Sequence, residues 1–407
     1  MATTEATGAR RASIGKLILE HKPGHALSQD FYCRADVYEH EVERLFLKVW
    51  ILVGHQSQLA HVGDYFLTEV AGESVIVVRQ DAHQINALIN VCRHRGSRVC
   101  LEEQGHAPRF VCPYHAWTYG LDGVLLAAPQ VADTLDKGKY PLRRIQLENF
   151  QGMLFINFDP DARFDPIAAD LAAPLAPYDL ANARIAHRQS YTIDANWKLA
   201  LENFCECYHC IPAHREYAAG HGRARPAAGL VQQTEQVMGR ASECGLSSAK
   251  LDRSFKKAEG IGLDRYFDRY PLLKGHVTGS RDGRPVAPLM GSIRDYDGGA
   301  TDFQMGPLSY GLAYCDYVVL YRFVPLGKDA TECEVIWLVR GDASEGEDYS
   351  RDELIWMWDV TTIADKRIIQ DNSRGVKSRF YEPGPLTPME YFTQIFTEWY
   401  LNVLRPE

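Results

Sequence analysis

The chain has 407 residues, 46% of them hydrophobic and 24% charged, which is ordinary for a globular protein and enough for two or three domain-sized units around a large core. Its net charge of −9, from 44 basic and 53 acidic residues, argues against a nucleic-acid or anionic-membrane partner, and no apolar run approaches the roughly 20 residues that span a bilayer. The first residues, MATTEATGARRASIG, lack the apolar core of a secretory signal and read as a flexible arm on a cytoplasmic protein, where ten cysteines are more readily free thiols or metal ligands than disulfides.

After an N-terminal stretch of arm and helices, residues 1 to 44, a β module begins. Residues 64 to 92, DYFLTEVAGESVIVVRQDAHQINALINVC, break into short β-branched runs separated by Gly-Glu and Gln-Asp-Ala-His turns. FVCPYHAWTY and GMLFINF extend the module to about residue 160, where the DPDARFDP loop closes it. Inside it stand Cys92-x-His94 in CRHRG and, after seventeen intervening residues, Cys112-x-x-His115 in CPYHAW. Zinc accepts such an S2N2 set, but structural zinc sites more often carry two cysteines close together on one loop. A pair of cysteines on one iron and a pair of histidines on the other is the ligation of a Rieske [2Fe–2S] cluster, and here each tight loop supplies one thiolate and one imidazole. Gly96 and Pro113 can shape the two turns, and Trp117 can shield the cluster from water.

From residue 161 the texture changes to a sheet with helices. RQSYTID, 188 to 194, reads as a strand, and Asn196 caps a predicted helix running through WKLALENFCECYHC until Pro212 ends or kinks it. On that helix Asn203, Glu206 and His209 fall three residues apart on one face. His214 lies about 140° around an ideal helix from His209, so the two could share one ion only if the helix deviates, and Pro212 supplies the deviation. Two histidines still need a carboxylate to form the facial triad of a non-haem Fe(II) oxygenase. Residues 218 to 300 show no periodicity and read as irregular, a cover for a pocket. YCDYVVLYRFVP and TECEVIWLVRG then form two strands, followed by a long helix over 352 to 374. Leu354, Trp358, Thr361, Asp365, Ile368 and Asn372 share one stripe of it. Asp365 is the one carboxylate on that core-like stripe, where a charge is costly unless paired or metal-bound, which makes it the third ligand. Asp359 and Asp371 lie off the stripe and read as solvated charges. Cys205, Cys207 and Cys210 read as small buried hydrophobes, since a separate zinc site would need a fourth ligand.

CRHRG followed by CPYHAWTYGLDG resembles the Rieske motif of the large subunit of Rieske non-haem iron oxygenases. ENFCECYHCIPAH resembles the Asn-x-x-(Asp or Glu)-x-x-His-x4-His signature of their catalytic domain, and the resemblance runs from about residue 30 through WDVTTIADKRIIQDNSRGV and YEPGPLTPMEYF. It implies an α+β fold in which an all-β Rieske domain, 45 to 160, is inserted into a helix-grip (START-like) catalytic domain, 161 to 407, with an antiparallel sheet and a long C-terminal helix. It implies a [2Fe–2S] cluster on Cys92, His94, Cys112 and His115, a mononuclear Fe(II) on His209, His214 and Asp365, and catalytic roles for Asn203 and Glu206. Most members carry aspartate where this chain has Glu206, bridging the first iron histidine to a Rieske histidine of the adjacent subunit. A homotrimer is implied, as is a separate flavin and iron–sulfur reductase using NAD(P)H, since the chain has no Gly-x-Gly-x-x-Gly fingerprint of its own. Dioxygen and a small molecule would be the substrates.

ECYHC and NSRGVKSRFYEPGPL look most like the branch that oxidises quaternary ammonium compounds such as betaines and carnitine. Hydroxylation beside the nitrogen would there end in C–N cleavage with loss of an aldehyde. A cationic headgroup calls for an aromatic cage, for which Phe204, Tyr208, Tyr217, Tyr310, Tyr314 and Trp356 are candidates, although aromatics at such spacings are more often core. The alternatives are an aromatic-ring hydroxylase or O-demethylase, and a non-catalytic Rieske electron carrier or zinc-stabilised binding protein.

Overall fold

In Val318–Gly327 and Ala330–Val339 the apolar residues alternate between two sides of one sheet. Val319, Tyr321, Phe323, Val335 and Trp337 join one apolar cluster; Val318, Leu320, Ile336 and Leu338 join another. With both faces covered, these strands are buried along nearly their whole length. The computed structural model describes residues 2–131, 134–248, 250–254, 261–262 and 264–405. It places the two strands in a seven-stranded antiparallel sheet ordered Arg184–Ile193, Ala330–Val339, Val318–Gly327, Ser309–Ala313, Gly299–Met305, Arg265–Pro271 and Leu251–Ser254.

One face of this sheet is gripped by the 26-residue helix Arg351–Val376, where Trp358 meets Tyr321 at 5.8 Å between ring centroids and the Tyr321 and Thr362 hydroxyls pair at 2.7 Å. The other face takes Ile167, Leu171 and Leu175 of Asp165–Leu175, together with Trp50 and Phe155 of the β module. That module is a second seven-stranded sheet, ordered Ile51–His55, Met153–Asn157, Arg144–Phe150, Ile85–Ile89, Glu73–Arg79, Asp64–Val70 and Gln104–His106. A small sheet of Phe110–Val111, Thr118–Tyr119 and Leu125–Ala127 accompanies it. The chain returns to its starting helices at the far end: Tyr400 of Tyr391–Leu404 stacks edge-on with Phe31 at 5.9 Å and donates a hydrogen bond to buried Glu41 at 2.5 Å. The architecture is therefore α+β, a β module inserted between N-terminal helices and the sheet-plus-helix unit they pack on. No helix among the described residues is long and apolar enough to cross a membrane.

Three expectations need correction. Residues Ala2–Glu20 form a helix rather than a loose arm, because Ile14 and Ile18, one turn apart, are buried in the main core. The segment from 218 to 300 carries the helix Val231–Ala241 and the buried strand Arg265–Pro271. Its periodicity is disguised because charged residues enter the sheet as ion pairs: Arg269 with Asp297, Arg265 with Asp170, and Asp268 with Arg223. Positions 249, 255–260 and 263 of that segment lie outside the described residues.

The third correction concerns the helix opened by Asn196, whose side chain accepts from Lys198 N at 3.1 Å. It ends at Phe204, well before Pro212. Glu206 is the cause: its carboxylate accepts the backbone N–H groups of Tyr208 and His209, which withdraws them from helix continuation. A new short helix, Cys210–Ala213, then begins, and Pro212 sits in its first turn, where a missing N–H costs little.

Candidate metal centres

Cys92 and Cys112 each open the same turn. Cys92 N donates to Ser97 O at 2.8 Å and Gly96 N to Cys92 O at 3.0 Å; Cys112 N donates to Trp117 O at 2.8 Å and Ala116 N to Cys112 O at 3.0 Å. The fifth residue of both turns is left-handed, Gly96 with φ 79° and Ala116 with φ 56°. Both cysteines are buried, while His94 and His115 are exposed with their rings 4.6 Å apart. Trp117, itself buried, stacks on His94 at 4.9 Å and 6°.

Tyr119, which the sequence reading did not single out, accepts from Arg93 N at 3.0 Å, so its own hydroxyl proton is directed at Cys92 Sγ, 3.3 Å away. Burial raises the Cys92 thiol, and the Tyr119 hydrogen bond opposes that rise. Sulfurs inside and imidazoles outside, one of each from each loop, are a donor set that fits a Rieske [2Fe–2S] cluster.

The second cluster of donors comes from three elements. His209 precedes the helix Cys210–Ala213, His214 follows it, and Asp365 projects from Arg351–Val376. Asp365 Oδ1 lies 3.2 Å from His209 Nε2 and 3.2 Å from His214 Nε2. Among the described residues His214 Nε2 and Asp365 Oδ1 are both buried without a directional hydrogen bond, which leaves a lone pair on each for a shared ion. Two ligand atoms about 2.1 Å from one ion at near-right angles stand about 3 Å apart, so the spacing and the donor set fit an octahedral Fe(II) with positions to spare. Burial would lower the His209 pKa, but Asp365 and Glu206 outweigh it and hold the imidazole up at about 9. Asp365 goes the other way: burial raises it, yet the two imidazoles bring it below the usual carboxylate range. A divalent cation bound there would take the place of that proton.

Glu206 Oε1 accepts from His209 Nδ1 at 2.5 Å, which aims Nε2 at Asp365. Asn203 Nδ2 stands 3.4 Å from the same Nε2. Glu202, Asn203, Glu206, His209, Asn372 and Glu390 share a cavity of about 290 Å³.

The cysteines here are not the separate thiols expected. Cys207 and Cys210 are joined in a disulfide, because the turn at 205–209 replaces the helix that would have held their Cβ atoms too far apart. Cys205 is buried, its sulfur 4.0 Å from the Tyr310 hydroxyl.

Of the six cage candidates, Tyr217 meets His214 edge-on at 5.4 Å, and Tyr314 reaches the site through His221, whose Nε2 lies 2.7 Å from the Tyr314 hydroxyl. His221 stacks on Tyr217 at 4.1 Å and Trp358 packs on it at 5.6 Å; neither was anticipated in this wall. Phe204 and Tyr310 pack together at 4.6 Å beside Tyr321. Tyr208 points to solvent, 54% exposed, and Trp356 packs under the Arg281 guanidinium at 4.5 Å, so these two do not join the wall. Asp359 is more than a solvated charge, since it accepts from the Tyr191 hydroxyl at 2.6 Å; Asp371 is exposed and pairs with Arg374.

Known proteins share both halves of this chain. Residues 180–405 match the family described as the ring hydroxylating alpha subunit, catalytic domain, and residues 49–148 match the Rieske [2Fe-2S] domain. The glycine betaine monooxygenase oxygenase subunit of Chromohalobacter salexigens is 33% identical over 97% of this chain and 89% of that protein. The carnitine monooxygenase oxygenase subunit of Escherichia coli is 39% identical over 45% of this chain and 50% of its own length. Among solved structures, a quaternary ammonium Rieske monooxygenase, CntA, superposes with a TM-score of 0.72 at 23% identity, over 95% of this chain and 97% of that one, which is a likeness of fold.

Proposed function

Because this chain belongs to the family of ring hydroxylating alpha subunits that carry a Rieske [2Fe-2S] domain, we propose that it is the oxygenase component acting on a quaternary ammonium compound of the betaine or carnitine kind. It is an oxidoreductase of the Rieske oxygenase class, with a [2Fe–2S] cluster and a mononuclear iron as its cofactors. Cys92, His94, Cys112 and His115 would hold the cluster; His209, His214 and Asp365 would hold the iron. When bound, these groups supply single electrons and activate dioxygen at open iron positions.

The chain's own residues do the rest. Trp117 covers the His94 side of the cluster site, and the Tyr119 hydrogen bond would neutralise part of the charge of a cluster-bound Cys92. Glu206 fixes the tautomer of His209 by holding Nδ1–H, which leaves Nε2 as the donor toward metal. In a homotrimer Glu206 would face the cluster histidine of a neighbouring subunit and accept from both imidazoles. Tyr217, His221, Tyr314 and Trp358 form an aromatic wall beside His214 that suits a methylated cation. Hydroxylation of an N-methyl or adjacent carbon gives a hemiaminal, which collapses with loss of an aldehyde. Electrons come from a separate flavin and iron–sulfur reductase that takes hydride from NAD(P)H, and the protein works in the cytoplasm.

The observation that carries this reading is the convergence of two imidazoles and one carboxylate beside that wall. It is tested by NADH- and oxygen-dependent turnover with a generic reductase against betaines, carnitine, benzoates and methoxybenzoates, scored for aldehyde and for substrate consumed. Aldehyde from a betaine or carnitine is the expected result. Turnover confined to the aromatic acids would replace the substrate class, and no turnover with any, at full iron content, would count against the panel's premise.

A further inference from the structure

The loop that carries Glu206 and His209 is bridged by a covalent bond that nothing in the proposed reaction uses. Cys207 and Cys210 flank Tyr208 and His209, and they are joined. One end of the bond is half-buried on a turn whose Tyr208 is 54% exposed; the other, Cys210, is 3% exposed. The Cys210 sulfur and one ring nitrogen each of His209 and His214 all lie within 4.8 Å of one another. The bond thus connects the solvent side of the turn to the edge of the iron site.

Inside the closed loop the N–H groups of Tyr208 and His209 and the Nδ1 of His209 all point at one carboxylate, that of Glu206. This arrangement depends on the backbone between residues 206 and 210, which belongs to neither flanking helix. A disulfide removes freedom from that backbone; opening it returns the freedom and places a thiol beside two metal-ligand candidates. In a thiol-buffered compartment a Cys-x-x-Cys pair exchanges rather than serving as a permanent staple.

We propose that Cys207 and Cys210 are a thiol-redox site at which a low-molecular-weight thiol and its disulfide set how firmly Glu206 positions His209, and thereby how fast electrons reach the iron. The inference rests on the two-metal reading above. In the reductive direction a small thiolate attacks the Cys207 sulfur, the Cys207–Cys210 bond breaks, and Cys210 leaves as a thiolate that takes a proton. A second small thiol attacks the mixed disulfide, frees Cys207 and departs as the small disulfide. Two electrons and two protons have passed from two small thiols to the pair. The oxidised form is the fast one, because it keeps the imidazole aimed; the pair is a positioning device that acts through Glu206 and His209.

The test uses the iron-loaded holoenzyme. Samples are poised anaerobically in glutathione buffers of graded thiol-to-disulfide ratio, freed of buffer, and split. One portion is alkylated and weighed to count open Cys207–Cys210 pairs. Another is pre-reduced at the cluster, mixed with substrate and oxygen, and followed as the cluster reoxidises. Iron content, the cluster spectrum and the oligomeric state are read on the same samples. The expected result is a reoxidation rate that falls about tenfold as the pair opens, on the same two-electron titration curve as the mass change and with iron retained; the size is that usual for loss of a partner orienting a metal ligand. Cys207→Ser should sit at the slow rate at every poise. Equal rates for the open and closed pair, a pair that stays open at every ratio, or a Cys207→Ser protein as fast as the oxidised parent would each overturn the proposal. Missing iron or a missing cluster spectrum would instead overturn the two-metal reading on which it stands.

Discussion

Glu206 and Asp365 stand on opposite nitrogens of one imidazole: Glu206 Oε1 takes His209 Nδ1 at 2.5 Å and Asp365 Oδ1 faces Nε2 at 3.2 Å. One carboxylate orients the ring and the other shares the point toward which the ring is oriented, so their removal should have different consequences.

Glu206→Gln keeps the size of the side chain and loses the charge that grips Nδ1–H. Iron should stay, while single-turnover reoxidation of the pre-reduced cluster slows by about 10–100-fold. Glu206→Asp, one methylene shorter, should keep part of the rate. A Glu206→Gln protein that reoxidises at the parental rate, or that loses its iron, would show that the residue does something else.

Asp365→Ala should empty the mononuclear site and abolish turnover without changing the visible spectrum of the cluster. Two neutral imidazoles neither offset the charge of Fe(II) nor complete its coordination, and Asp365 belongs to the helix Arg351–Val376, outside the β module that carries Cys92 and Cys112. The check is iron per chain, expected to fall from about three to about two. Unchanged iron and turnover would point to another carboxylate, Asp359 being the first to test.

Tyr217→Leu removes the ring that meets His214 while keeping an apolar side chain. Cation–π contacts of about 0.5–2 kcal/mol translate into a KM for a quaternary ammonium substrate about 2- to 30-fold higher. The inhibition constant of a neutral tert-butyl analogue should hardly move. Equal losses for cation and neutral analogue would mean that Tyr217 packs the site without recognising charge.

His55 carries a pH dependence whose sign can be worked out. It is fully buried, with Nε2 2.9 Å from Leu180 O, and burial lowers its pKa to about 4. The unfolded chain takes this proton near pH 6.5, so the stability contributed by neutral His55 is complete above 6.5 and is lost as pH falls toward 4, by about 3 kcal/mol. Asp316, pushed up to about 6 by burial, and Glu202, pushed up to about 7, act in the opposite sense. The informative measurement is therefore the stability gap between the parent and His55→Gln in denaturant at pH 7 and at pH 4, which should narrow in acid. A gap that does not change with pH would mean that His55 titrates alike in both states.

The sequence was most legible where chemistry is local. Cys92, His94, Cys112 and His115 stand out because each pair lies within four residues on one turn. Asp365 stands out because a carboxylate on an apolar helical stripe must have a reason to be there, and the structure brings it to His209 and His214. Legibility failed where side chains override backbone preference. Glu206 stops a helix that propensity would have continued, and the turn it creates lets Cys207 and Cys210 pair. Arg265, Asp268 and Arg269 break the hydrophobic pattern of a strand whose charges are neutralised by partners distant in sequence. Tyr208 and Trp356 stand apart from the wall because nearness in sequence to the site does not say which way a ring points: one meets solvent and the other the Arg281 guanidinium.

A sheet with water on one side gives evolution every second position to explore. The strands Val318–Gly327 and Ala330–Val339 offer almost no such slack, since Val318 faces one apolar cluster and Val319 the other. Slack returns at the edge strand Arg184–Ile193, where Tyr191 and Ile193 are buried and Ser190 and Thr192 are exposed. The central strands thus behave as a frozen text, and the sheet leaves its room for variation to the margin.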